Sequence, residues 1–167
     1  DGRAMLIVAD GLGHGPVAAE AADRAVALFW EMSGTPAALL QRAHEPMRQT
    51  RGAAVSIASL DAAAGSITFA GAGNVSGRIV SGVEDRSLLS QHGTLGVQVR
   101  RPQDLAYAWP PHAVVVLHSD GLTSRWNLRD SGALLQADPA VIAAWLLRDH
   151  TRGHDDVTVV VVRRSAA

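Results

Sequence analysis

The apolar positions of this chain fall into runs that switch between strand and helix character. Leu6-Ile7-Val8-Ala9 is an apolar, partly β-branched run, and with Ala4 it predicts a first strand over 4–9 that stops on Asp10. Gly11, Gly13 and Gly15 follow at once and allow a tight turn. From Pro16 an alanine-rich stretch predicts a helix to about Met32, with Pro16 in the first turn, where its missing N–H costs nothing. Ala18, Ala22, Val26 and Phe29 or Trp30 form its expected apolar stripe. Thr35 before Pro36 predicts the N-cap of a second helix over 37–49, which Pro46 should kink or shorten. Ala53 to Leu60 and Ser66 to Ala72, joined through Asp61 to Gly65, predict a hairpin and therefore antiparallel sheet.

Beyond Gly73-Asn74 a strand over 76–80 is expected in the same meander, followed by short strands at 87–89 and 105–109. Ala113 to Ser119 is apolar at nearly every position, the pattern of a central strand covered on both faces. The segment 121–130 reads as a short helix or loop, Asp138-Pro139 as the cap of a last helix to about Asp149, and 157–162 as a buried final strand paired with the first. Two helices early and one late, set against about eight strands largely joined as hairpins, predict an α+β fold. No repeat, low-complexity tract or linker interrupts the pattern.

Composition narrows the partners. The 167 residues are 47% hydrophobic and 19% charged, which indicates one globular domain over 1–167 with a substantial core. Because the sequence opens inside a motif, at Asp1-Gly2, that domain is expected to be N-terminally truncated or part of a longer chain. Fifteen basic residues, all arginine, nearly balance sixteen acidic ones for a net charge of −1, and no basic run points to nucleic acid or an anionic membrane. The absence of cysteine removes disulfide and thiolate chemistry and fits a reducing, cytoplasmic compartment. No apolar run is long enough to insert across a bilayer.

The candidate chemistry lies where apolar runs meet carboxylates. Asp10 alone reads equally as a turn residue capping the next helix or as a ligand for a hard cation. Two further stretches repeat the arrangement: 113–119 leads into Asp120-Gly121, and Asp155-Asp156 leads into the last strand. Asp10, Asp120 and Asp155 or Asp156 would converge at strand ends of one sheet on an oxygen-rich site, which suits Mg²⁺ or Mn²⁺ better than zinc.

The motifs Val8-Ala9-Asp10-Gly11-Leu12-Gly13-His14-Gly15, His118-Ser119-Asp120-Gly121-Leu122 and Asp155-Asp156-Val157-Thr158-Val159 carry a resemblance, together with Gly71-Ala72-Gly73-Asn74 and Gly93-Thr94-Leu95-Gly96 between them. In order and spacing, from about Met5 to Arg163, they resemble the PPM superfamily of metal-dependent Ser/Thr protein phosphatases in its bacterial SpoIIE/RsbX-like branch. The resemblance implies a four-layer α-β-β-α sandwich with two antiparallel sheets. It also implies two Mg²⁺ or Mn²⁺ ions, with Asp10 bridging them, the Gly11 carbonyl completing one site, and Asp120 and Asp155 completing the other. A one-residue slip would exchange Asp155 with Asp156. The implied reaction is hydrolysis of phosphoserine or phosphothreonine by a metal-activated water. The implied substrate is a bacterial regulatory phosphoprotein, such as a STAS-type anti-anti-sigma factor in a partner-switching pathway.

Departures from the family define the alternative. Leu12 stands where eukaryotic relatives place a histidine acid, and His14, two positions on, is expected to be a solvent-facing residue at the helix start. The family's further Gly-Asp carboxylate belongs to a strand upstream of Asp1. These features favour, as the alternative, a catalytically weak or inactive PPM-fold regulatory or protein-binding module. Asn74 is expected in a structural turn, and 93–96 in a flexible turn near the site. Arg51 is expected as an ordinary surface arginine, and His118 and His154 as structural groups, His154 able to orient a ligand. Trp30, Trp109, Trp126 and Trp145 read as core or lid, Trp126 being the candidate for substrate contact.

Overall fold

The computed structural model describes residues 2–153 and 155–164. In chain order the elements are β1 (Arg3–Gly11), α1 (Pro16–Glu31), α2 (Pro36–Met47), β2 (Ala53–Asp61), β3 (Ser66–Ala72), β4 (Ser76–Val80) and β5 (Asp85–Leu88). There follow β6 (Gly93–Thr94), β7 (Gln98–Val99), β8 (Leu105–Ala108), β9 (Val114–His118), α3 (Gly132–Gln136), α4 (Pro139–His150) and β10 (Val159–Arg163). They form two compact units, Asp1–Val75 with Leu89–Ala108 and Ser76–Leu88 with Trp109–Ala167. No helix among the described residues is long and apolar enough to cross a membrane.

The first unit is built on a four-stranded antiparallel sheet ordered β1-β2-β3-β8. Its centre is β2, six of whose first residues in succession, Ala53 to Ala58, are buried, because neighbours flank it on both sides. α1 and α2 cover one face through Ala21, Ala25, Leu28, Leu39, Leu40 and Met47 against Val55 and Ile57. Leu39 and Leu40 are almost wholly removed from water, each worth about 1.5–3 kcal/mol of apolar burial. α2 starts as the sequence predicts, with the Thr35 hydroxyl accepting from the Ala38 amide. In α1 the buried stripe is Ala18, Ala21, Ala25 and Leu28, one step round the helix from the expected Ala22 and Val26. Alanines on both sides blur the apolar face, so the larger Leu28 decides the rotation. That rotation leaves Trp30 77% exposed, neither core nor lid.

The second unit holds the other four-stranded antiparallel sheet, ordered β10-β9-β4-β5. All five residues of β9 are buried, as its uninterrupted apolar run predicts. Val114 and Val116 of β9, with Val80, pack against Ile142 and Leu146 of α4 and against Trp126, Leu128 and Leu135. α4 is capped by Asp138, whose carboxylate accepts from the Ala140 amide at 2.8 Å. Two expectations need correction. The last strand pairs with β9 rather than with β1 and is half-buried, because it is an edge strand. β4 pairs with β5 and β9 rather than extending the β2-β3 meander. A valine run specifies burial, not a neighbour, and nothing in either stretch encodes its partner. The short α3 is an element the sequence pattern did not signal.

Candidate metal centre

In the first unit, Asp10 is the penultimate residue of β1, opposite Ala54, and Gly11 is opposite Ala53. The strand runs two residues past its expected end, so a ladder on β2 holds both. A Cβ on Gly11 would lie 1.9 Å from the Ala18 carbonyl oxygen, which means that only glycine lets the first turn of α1 close onto the strand end. The intervening turn passes through Gly13, with φ 92°, a conformation that favours glycine. Leu12 donates its amide to the Gly52 carbonyl at 2.9 Å and exposes its side chain. His14 is exposed, as expected. The 93–96 stretch is pinned rather than flexible: Leu95 exchanges two backbone hydrogen bonds with Ala53, at 2.8 and 3.0 Å, and the Gly96 amide donates to His44 Nδ1. Asn74 lies in the bend between β3 and β4.

In the second unit, Asp120 follows β9 after Ser119, and the next residue, Gly121, lies against the Asp156 carbonyl. A Cβ on Gly121 would sit 2.2 Å from the Asp156 carbonyl oxygen and 2.6 Å from Val157 Cγ2. Ser119 fastens the same two stretches. Its amide donates to the Thr158 carbonyl at 3.1 Å, and its hydroxyl accepts from the Thr158 amide at 3.0 Å and reaches the Asp156 carbonyl at 3.5 Å. Asp155 and Asp156 are exposed, and the Asp155 carboxylate accepts from the Asp156 amide at 2.9 Å. His154 lies outside the described residues. Among the described residues no three His, Asp or Glu side chains are gathered into one metal-binding group.

His118 and Trp126 behave as structural groups. His118 is 2% exposed, its Nδ1 stands 2.8 Å from the Ser119 carbonyl, and its ring meets Trp126 edge-on at 6.1 Å. Burial pushes its pKa below the ordinary 6.5, against a smaller opposing effect from the Ser119 hydrogen bond, with Arg78 and Arg152 adding to the depression. Trp126 is buried beneath the Arg78 guanidinium, 3.7 Å from its ring centre, and so is not placed for substrate contact. Arg78 in turn donates to both carboxylate oxygens of Asp85 and to the Trp126 carbonyl at 3.0 Å. The role of Ser119 went unrecognised in the sequence, although a small hydroxyl residue between a buried strand and an Asp-Gly turn was a readable signal.

The family model described as Stage II sporulation protein E, SpoIIE, matches residues 1–165. The chain belongs to the SpoIIE family. A SpoIIE-family chain with two antiparallel sheets has the PPM-phosphatase fold, and solved structures agree. A structure titled for the bacterial stressosome, a modular system adapted to control secondary messenger signalling, is 29% identical over 98% of this chain and 86% of its own, with a TM-score of 0.86. RsbX in complex with magnesium is 24% identical over 96% and 81%, TM-score 0.81. The catalytic domain of the serine/threonine phosphatase PstP, in complex with two manganese ions, is 18% identical over 94% and 86%, TM-score 0.70. A search of curated proteins returned no match.

The residues fit the ions of such phosphatases by the chemistry of their donors. Asp10, Asp120, Asp155 and Asp156 offer carboxylate oxygens and Gly11 a carbonyl, the set that hard Mg²⁺ and Mn²⁺ prefer. The close backbone approaches at Gly11 and Gly121 set the backbone next to Asp10 and next to Asp120.

Proposed function

We propose that this SpoIIE-family chain is a Mg²⁺/Mn²⁺-dependent phosphoserine/phosphothreonine protein phosphatase of the cytoplasm. The observation that carries the reading is that the family match spans residues 1–165 and includes three Asp motifs at strand ends, two of them sealed by glycines that admit no side chain. Asp10, the Gly11 carbonyl, Asp120 and Asp155 would hold the ions, Asp156 being the neighbour that a slip would bring in.

Bound there, the two ions supply an activated water and neutralise phosphoryl charge. The chain's own residues have simpler tasks. The β1-β2 ladder holds Asp10 still, which limits the reorganisation needed when charge shifts during reaction. Ser119 holds the 156–158 backbone against Gly121 and thereby sets the distance from Asp120 to the acidic pair. Burial lowers the pKa of His118 and so disfavours a positive charge two residues from Asp120.

A phosphorylated regulatory protein, such as a STAS-type anti-anti-sigma factor in a partner-switching pathway, is the proposed substrate. Its support is the stressosome structure, a modular system adapted to control secondary messenger signalling. The test is Mn²⁺-dependent release of p-nitrophenol from its phosphate ester by the chain, measured beside Asp10→Ala. Activity that disappears in the variant supports the reading, and equal activity sinks it. Calorimetric titration with Mn²⁺ separates the alternative, since a binding module without catalysis would show no site that depends on Asp120.

A further inference from the structure

Residues 96–104, which include β7, run back along α2 as a strap fastened at both ends. At its start the Gly96 amide donates to His44 Nδ1 at 3.1 Å, and a Cβ on Gly96 would lie 2.6 Å from the Met47 carbonyl oxygen, so the strap begins flush against the last turn of α2. At its end Asp104 accepts from the Ala37 amide, in the first turn of the same helix, at 2.8 Å. Between the two fastenings the chain stands off the helix. It leaves an open-sided cavity of about 430 Å³, lined by Leu40, Gln41 and His44 of α2 and by Val99, Arg101 and Pro102. That is the size of a pocket for a small organic molecule, and every lining residue belongs to the first unit.

The lining divides by chemistry. Leu40 is 1% exposed and belongs to the core that α2 shares with β2, and Val99 packs on the same cluster, so the floor is apolar. Pro102 adds an apolar wall and has no amide proton to satisfy. The polar lining groups favour an acceptor. Nδ1 of His44 is engaged by the Gly96 amide, so the ring proton sits on Nε2 as the remaining donor. Arg101 makes no ion pair among the described residues, and Arg100 beside it adds a second positive charge to the strap. No lining residue is acidic. The two nearest carboxylates along the chain are engaged elsewhere, Glu45 with Arg48 at 3.3 Å and Asp104 with the Ala37 amide.

We propose that this cavity binds a small amphipathic carboxylate, its apolar body on Leu40, Val99 and Pro102 and its carboxylate accepting from Arg101 and from His44 Nε2–H. Other classes of ligand fit less of the lining. A wholly apolar molecule would cover the donors of Arg101 and His44 without giving them acceptors, a cation would meet the guanidinium, and an inorganic anion would leave the apolar floor unused. A carboxylate is planar and matches the guanidinium fork through two parallel hydrogen bonds. None of the six lining residues is a proposed metal ligand, so the proposal stands or falls apart from the phosphatase reading.

Naphthylacetate, an aromatic carboxylate small enough for the cavity, is the test ligand. Titrated into the ¹⁵N-labelled chain and followed by NMR, it reports affinity and location together. Saturable shifts should centre on the amides of Leu40, Gln41, His44, Val99 and Arg101. Naphthylacetamide, the same body without the charge, should bind about tenfold more weakly. Arg101→Gln should weaken binding of the acid about three- to fivefold and Arg101→Glu about tenfold, the scale of a charge pair at an open rim, while both leave affinity for the amide unchanged. Crossing ligand with variant in this way separates recognition of charge from a change of fold, which would move both ligands together. Arg148→Glu makes the same change of charge on α4 and should alter neither affinity. Pro102→Trp, which fills the cavity from the strap, should abolish binding of both ligands. Absence of saturable binding at millimolar naphthylacetate, or shifts centred outside α2 and the strap, would overturn the proposal. Equal affinities for acid and amide, or acid binding that Arg101→Gln and Arg101→Glu leave unchanged, would overturn it as well.

Discussion

Replacing Gly121 with alanine tests how Asp120 and the acidic pair, the ligands proposed in the second unit, are brought together. The new Cβ would lie 2.2 Å from the Asp156 carbonyl oxygen, and neither atom belongs to a flexible side chain that could swing aside. Bringing that 2.2 Å up to the 3.0 Å below which Cβ contacts essentially never fall requires backbone movement of about 0.8 Å. The movement would stretch the Ser119 contacts to Asp156 and Thr158 and carry the acidic pair away from Asp120. Overpacking of this kind costs about 2 kcal/mol, a fall in Tm of roughly 4–8 °C for a domain of this size. Metal distances tolerate only about 0.2 Å, so Mn²⁺ affinity should fall at least about tenfold. Differential scanning calorimetry and Mn²⁺ titration read the two effects. Gly132→Ala, whose Cβ meets nothing within 4 Å, is the control and should change neither. Ser119→Ala, a milder variant that keeps the fold, should weaken Mn²⁺ binding without the steric penalty. Native melting and native Mn²⁺ affinity in Gly121→Ala would refute the reasoning.

Arg78→Ala should destabilise the second unit by about 3 kcal/mol, because it leaves the largely buried Asp85 carboxylate without its cation and uncovers the Trp126 ring; urea denaturation followed by Trp fluorescence measures this. The depressed pKa of His118 has a defined sign. The unfolded chain takes up a proton first as pH falls through about 6.5, so stability is full above that value and declines as pH drops toward the folded-state value. Urea midpoints from pH 8 to 5, without metal, should therefore fall less steeply in His118→Asn than in the native chain, and parallel profiles would count against burial as the cause.

Much of the fold was legible because local signals and tertiary context agree. Thr35 and Asp138 each precede a proline and each cap the helix that follows, and the apolar run at 114–118 is central in its sheet. The failures share a cause. Hydrophobic runs report burial but not partners, so the last strand could not be assigned to β9 and β4 could not be assigned to the second sheet. In α1 the alanines at 18, 19, 21 and 22 made neighbouring faces nearly equivalent, and only packing against the β2 residues Val55 and Ile57 chose between them.

The aspartates proposed as ligands were expected at strand ends of one sheet, but Asp10 lies on the β1-β2-β3-β8 sheet while Asp120 follows β9 and the acidic pair precedes β10 in the other. The candidate residues are marked by what cannot replace them: an aspartate at a strand end announces little, but an aspartate followed by glycine announces a close backbone approach. Gly11 admits the Ala18 carbonyl and Gly121 admits the Asp156 carbonyl, and in both cases any side chain would collide. Positioning residues carry no such mark. Ser119 acts through ordinary hydrogen bonds to backbone. Two of the aspartates proposed to hold ions are therefore marked in the sequence by the glycine that follows each, while the serine that fastens Gly121 to the 156–158 backbone is not.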